Sequence, residues 1–228
     1  MVNIRSYLKL SDTAEKIAEV YSTPKSFFSK YFELEPLEQK SFINHFVVNN
    51  NPYVFKDIPL LFQQIIQYLA HELELENADI KLIGSAKTGF SISPKPDYGK
   101  PFSDTSDLDF TIFNETLFLK LKNEFNLWAE QYEDKKLFPR EGEKKYWNSN
   151  LIIVRKNLNR GFIDTYKIPN RNQFPLTKKI NNLLYLIPFK LNEIHGIKNS
   201  KASLRVYKNE HLFLNQLKLN TEYILNEL

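Results

Sequence analysis

Hydrophobic positions along the 228-residue chain recur in two periods. Leu61, Ile65, Leu69 and Leu73 return every fourth residue, with Ile66 and Ala70 beside them. That spacing predicts a helix with one apolar face, reaching about residue 76 and capped by Asp57. Leu117, Leu121, Phe125 and Trp128 predict a second such helix, opened by Asn114. Ile180, Leu183, Leu184, Ile187, Leu191 and Ile194 predict a third over 177–195, which Pro188 should kink or split and Gly196 should stop. Between these the pattern shortens: residues 79–84 and 107–113 read as strands, and Ser203–Tyr207 as a further short one. Residues 12–49 read as two or three short helices, with Asp12 and Thr23 as caps and Pro24 just inside the second. A last helix begins near Asn209, while Leu151-Ile152-Ile153-Val154 suits either a strand or a helix. The expected fold class is α+β: a small mixed sheet flanked by N-terminal and C-terminal helices. The expected division is an N-terminal helical region at 1–77 packing on the core, a core at 78–175, and a C-terminal helical region at 176–228.

Composition narrows the chemistry. A hydrophobic content of 42% over this length is enough to bury a sizeable core. The absence of cysteine excludes disulfides, thiolate zinc sites and cysteine nucleophiles, and the four histidines show no ligand spacing that would build a zinc site. Apolar runs such as Ile58–Phe62 are too short to span a bilayer, and the N-terminus lacks the apolar segment of a signal peptide, so a cytoplasmic protein without a membrane partner is expected. Charge is uneven: residues 1–80 carry 7 basic and 11 acidic side chains, and residues 81–228 carry 24 and 16. The net +8 of the second part suits a polyanionic ligand such as a nucleotide or nucleic acid.

Two short motifs lie in that basic part. Asp107 and Asp109 stand two apart in a strand pattern, so both carboxylates project to one face while Leu108 and Phe110 face the core. Adjacent carboxylates repel unless a cation lies between them, and Mg²⁺ is commonly held by one or two carboxylates together with substrate phosphates. Upstream, Ile83-Gly84-Ser85-Ala86-Lys87 follows a strand and opens a short helix. Gly84 allows close backbone approach, Ser85 and the first helical amides can donate to phosphate oxygens, and Lys87 can add charge. The intervening segment, Ser91 to Pro101, is proline-rich and reads as an extended loop, either a basic flap carrying Lys95 and Lys100 or a passive surface insertion.

The order strand, Gly-Ser, loop, strand with Asp-x-Asp, helix resembles the DNA polymerase beta-type nucleotidyltransferase superfamily, here as Ile83-Gly84-Ser85 and Asp107-Leu108-Asp109-Phe110. The resemblance spans about 35 residues, 80–113, and the loop between the motifs is longer than the family's usual one. It implies a nucleotidyltransferase catalytic core at 78–175 with Asp107 and Asp109 as catalytic metal ligands for Mg²⁺ or Mn²⁺, and Gly84, Ser85 and Lys87 as nucleotide-binding residues. The family supplies a third carboxylate from a neighbouring strand; Asp164, the only acid between Glu143 and Glu193, is the candidate, with a turn-capping role as its alternative. The implied reaction is template-independent transfer of a nucleoside monophosphate from an NTP or dNTP, ATP among them, to a hydroxyl by a two-metal mechanism.

Standalone members of prokaryotic antiphage and toxin–antitoxin systems are similar in style. The products left open are a nucleotide or oligonucleotide signal for a partner effector protein, a nucleotide added to RNA such as a tRNA end, and a nucleotidylated protein. A catalytically retired nucleotide- or partner-binding module is the alternative of another class. Arg155, Arg160, Lys167 and Arg171 are candidate contacts to triphosphate or an acceptor strand, as are Arg205 and Lys208, with Tyr207 as a base-stacking candidate.

Overall fold

The computed structural model describes residues 4–5, 21, 23–32, 34, 39, 42–93 and 96–227. The expected cap at Asp12 and the flap residue Lys95 lie outside the described residues.

Helix α1 (Pro24–Phe32) starts as its sequence suggests: the Thr23 hydroxyl accepts the Ser26 amide at 3.2 Å, and Pro24 occupies the first turn, where no amide is needed. Helix α2 (Pro59–Leu73) buries Leu61, Ile65, Ile66, Leu69, Ala70 and Leu73. Asp57 does not cap it: Ile58 precedes the first turn without a side-chain cap bond, and Pro59 sets the start. The helix stops at Leu73, short of residue 76, because Glu74 turns left-handed at φ 57°.

Strand β1 (Ile80–Ile83) leads into the short helix α3 (Ser85–Thr88), and β2 (Leu108–Phe113) into α4 (Glu115–Glu133). Asn114 is a double tie there: its side-chain oxygen accepts the Leu117 amide at 2.9 Å, and its amide group donates to Asp79 Oδ2 at 3.0 Å. The ambiguous 151–154 stretch is helical, inside α5 (Lys144–Asn159). Trp147, Asn150, Val154 and Asn157 are its buried positions, a three-four spacing that only a helix can turn to one side.

Strand β3 (Phe162–Asp164) follows, and then α6 (Pro175–His195), which runs unbroken through Pro188. The expected split does not occur; Ile187 and Leu191 on either side of the proline are fully buried and hold the helix against the sheet. Gly196 stops it in the left-handed region at φ 65°. Strand β4 (Ala202–Tyr207) and α7 (Glu210–Glu227) complete the chain, with the Asn209 side chain accepting the Leu212 amide at 3.1 Å.

The fold is α+β, with a mixed four-stranded sheet in the order β1-β2-β4-β3. β1 is antiparallel to β2, β2 parallel to β4, and β3 antiparallel to β4. The sheet therefore takes an inner strand from beyond residue 176, and the core expected at 78–175 extends at least to Tyr207. Alternation sorts the two faces. Ile80, Leu82, Leu108, Phe110, Ile112, Ile163, Leu204 and Val206 form one buried core with residues of α2, α4, α5 and α6. On the opposite face, Phe113, Phe162 and Tyr207 join a second cluster with Phe27, Val47, Val48, Phe90, Phe213 and Leu217. What remains of that face is a polar row at the end where β2 and β4 begin.

Candidate functional site

The polar row is set by register. Asp109 on β2 lies between Ile83 on β1 and Ser203 on β4, and Arg205 on β4 lies between Thr111 on β2 and Asp164 on β3. Each is two residues from the next on its own strand, so all face away from the helical core. Asp107 stands just before β2, beside Lys201, whose carbonyl accepts the Leu108 amide at 2.8 Å.

Three groups crowd the aspartates. Ser203 donates its hydroxyl to Asp109 Oδ1 at 2.7 Å, and Lys201 Nζ lies 3.5 Å from Asp107 Oδ2. The third is the Gly84 backbone, so close that an added Cβ would lie 3.1 Å from Asp109 Oδ2. Burial raises the Asp109 pKa, the Ser203 hydrogen bond opposes it, and the Asp107 charge raises it further, with Arg205 and Lys201 pulling it down. Burial is thus the main reason the Asp109 charge is disfavoured, with Asp107 adding to it.

Gly84 takes φ 73° and ψ −160°, backbone that a side chain resists, and closes α3 by accepting the Lys87 and Thr88 amides. Ser85 is partly exposed at the start of this turn, where the first helical amides have no partner within the turn itself. Gly84, Ser85 and Asp109 are therefore gathered at one place, as the sequence predicts. Lys87 is buried, only 1% exposed. The long loop folds back on itself, with a Phe90–Pro101 bridge and the Ser91 amide donating to Lys100, and Phe90 packs 5.7 Å from the Phe27 ring. It is docked on α1 at this end.

Asp164 is near the row but differently engaged. β4 separates it from β2, it is 3% exposed, and both its oxygens are taken. Arg205 Nε donates to Oδ1 at 2.6 Å and the Asn157 amide to Oδ2 at 3.2 Å. Burial works against the Arg205 charge, but the Asp164 carboxylate outweighs it, with the Tyr207 side chain adding, and the guanidinium pKa is raised. Among the described residues no group of three His, Cys, Asp or Glu side chains is placed to share a metal ion. The residue facing Asp109 from the adjacent strand is Ser203, a position the sequence reading passed over along with Lys201. The alternation Ser203, Arg205, Tyr207 was the available signal, but only knowledge that β4 lies beside β2 turns it into a site.

The other basic candidates scatter. Arg155 forms a two-pronged pair with Glu133 at 2.8 and 2.6 Å, Lys208 lies 3.2 Å from Glu115, and Arg171 donates to Asn181 at 3.3 Å. Lys167 lies over the Tyr166 ring. Tyr207 is 2% exposed in the second core cluster, so it has no face free for a base.

No family model matches the sequence, and no characterised protein or solved structure shows significant similarity to it. No helix among the described residues is long and apolar enough to cross a membrane.

Proposed function

We propose that the chain is a nucleotidyltransferase that moves a nucleoside monophosphate from a nucleoside triphosphate to a hydroxyl. The observation carrying this reading is the convergence of Gly84 on Asp109: a glycine turn of the kind that cradles phosphate lies beside a paired-carboxylate strand end, with Ile83 paired to Asp109 and room for no relaxed Cβ at 84. Neither motif is specific alone, and their meeting on the open face of a sheet is what nucleotide transfer requires.

The residues present fit a divalent ion. Asp107 and Asp109 repel each other, Asp109 carries a raised pKa, and Lys201 stands at Asp107 as a cation would. Asp107 and Asp109 would hold Mg²⁺ or Mn²⁺ with substrate phosphate oxygens filling the remaining positions. When bound, the ion neutralises charge on the phosphates and lowers the pKa of an attached oxygen. Ser85 and the first amides of α3 would hold phosphate oxygens, Ser203 fixes the rotamer of Asp109, and Lys201 adds positive charge beside Asp107. The acceptor oxygen forms a bond to the α-phosphorus as the bond from that phosphorus to the bridging oxygen breaks. Pyrophosphate leaves, and the hydroxyl proton passes to water.

Asp164 enters this reading as the partner of Arg205 rather than as a third ligand, because both its oxygens are already bonded. A second reading is a nucleotide-binding module without turnover, since among the described residues no third carboxylate is grouped with Asp107 and Asp109. Incubation with each α-labelled ribo- and deoxyribonucleoside triphosphate, with Mg²⁺ or Mn²⁺ and with cell RNA, DNA or lysate as acceptor, separates them. Labelled product lost in Asp107→Ala supports the transferase; nucleotide binding with no product under any condition supports the module.

A further inference from the structure

A groove of about 520 Å³ opens between the α4–α5 connection and the segment that follows β3. Its size is that of a small-ligand site, which runs from about 300 to 1,000 Å³. Its lining is unusual for a passive surface. Arg140 and Arg171 supply two guanidinium groups, Tyr146 and Tyr166 two rings that are 44% and 46% exposed, and Phe138 a third at 75%. Side-chain amides line it along 170–173. Its one carboxylate, Glu143, accepts the Arg140 backbone amide at 2.9 Å. The walls are tied together, since the Tyr146 hydroxyl donates to the Tyr166 carbonyl at 2.7 Å. Exposed aromatic rings beside cationic groups, here with Lys167 over one face of Tyr166, are the means by which single-stranded nucleic acid is held without sequence preference: bases stack and the cations meet the backbone.

The groove also has a definite place relative to the aspartates. Tyr166 lies two residues beyond Asp164, in the turn that follows β3. The phosphate turn at Gly84-Ser85 belongs to the opposite edge of the sheet, on β1. Donor phosphates and groove thus flank Asp109 from opposite edges, the arrangement that an in-line displacement needs of its leaving and attacking groups.

We infer that this groove seats the single-stranded end of a nucleic acid acceptor, with Tyr166 at its inner end stacking on a base next to the attacking hydroxyl. This rests on the nucleotidyltransferase reading for the word acceptor, but the binding itself does not. The test is fluorescence anisotropy of the full chain with labelled oligoribonucleotide and oligodeoxyribonucleotide probes about ten nucleotides long, at about 50 mM salt, without metal or triphosphate. The variants are Tyr166→Ala, Arg140→Glu and Asp107→Ala/Asp109→Ala, each checked for an unchanged melting curve. The expected result is binding that weakens about ten-fold or more in each groove variant and persists in the aspartate variant. Equal binding by the groove variants overturns the inference, as does absence of binding by the unaltered chain. Loss of triphosphate binding in place of oligonucleotide binding overturns it too, because the groove would then be the donor's. Persistent oligonucleotide binding alongside failure of every transfer assay would leave the groove standing and the transferase reading fallen.

Discussion

Gly84 and Asp109 are close neighbours: a Cβ at 84 would lie 3.1 Å from Asp109 Oδ2, so the carboxylate would have to give way to a side chain there. The left-handed φ of 73° adds a second reason for glycine. Gly84→Ala is expected to cost about 1–3 kcal/mol of stability and to displace the Asp109 carboxylate. Chemical denaturation measures the first, and the loss of Mg²⁺-dependent stabilisation measures the second. An alanine variant as stable as the parent would mean that the turn and the strand end do not meet as described.

Asp164 and Arg205 form a pair in which the carboxylate is almost fully enclosed. Asp164→Ala takes the carboxylate from a guanidinium that is 37% exposed and is expected to destabilise by about 1–3 kcal/mol, whereas Asp164→Ala/Arg205→Leu should recover a large part of that loss. Asp164→Asn should still be stabilised by Mg²⁺. If Asp164→Asn folds and loses that response, the carboxylate is a metal ligand after all.

Glu124 on α4 holds the start of α6. Its carboxylate accepts the amides of Leu176 and Thr177 at 2.9 Å each and the Thr177 hydroxyl at 2.6 Å. A negative charge at a helix start, meeting amides that have no helical partner, is favourable twice over. Glu124→Ala is expected to cost about 1–3 kcal/mol in denaturant melts. A change within error would show that water replaces the carboxylate freely.

Glu133 and Arg155 set a pH dependence of known sign. The Arg155 hydrogen bond holds the Glu133 pKa below the ordinary carboxylate value. The pair's contribution is therefore present above the unfolded-state pKa of about 4.3 and is lost as pH falls through the lower folded value. Both side chains are about half exposed, so screening limits the effect to about 1 kcal/mol or less. Glu133→Gln should be less stable than the parent at neutral pH and low salt, equal to it in strong acid, and nearly equal at high salt. A difference that grows on acidification would contradict this.

The helices were legible where periodicity was strong. Leu117, Leu121, Phe125 and Trp128 are all buried on α4, and Asn114 caps it as its sequence position implies. Strand existence was legible too, because β-branched and aromatic residues alternate with polar ones in β2 and β4. What could not be read was adjacency. Local pattern places Asp109 and Ser203 each on a strand, but a sequence separation of 94 hides that the strands are neighbours. The same gap made Asp164 look like the nearest third acid, when β4 and Arg205 stand in between. Lys87, three residues past Gly84, is buried together with Ala86 and Thr88, which its place in a four-residue helix did not foretell.

The decisive measurement is pyrophosphate release from a nucleoside triphosphate, with Mg²⁺ and the acceptor that gives labelled product, by the unaltered chain and by Asp109→Asn. The substitution keeps the shape of the side chain at the Ser203 and Gly84 contacts and removes its charge. The expected result is release by the parent and a loss of at least about a hundred-fold in the variant, the scale of removing a group that stabilises transferring charge. Equal release by the two proteins would contradict the placement of nucleotide transfer at Asp107 and Asp109.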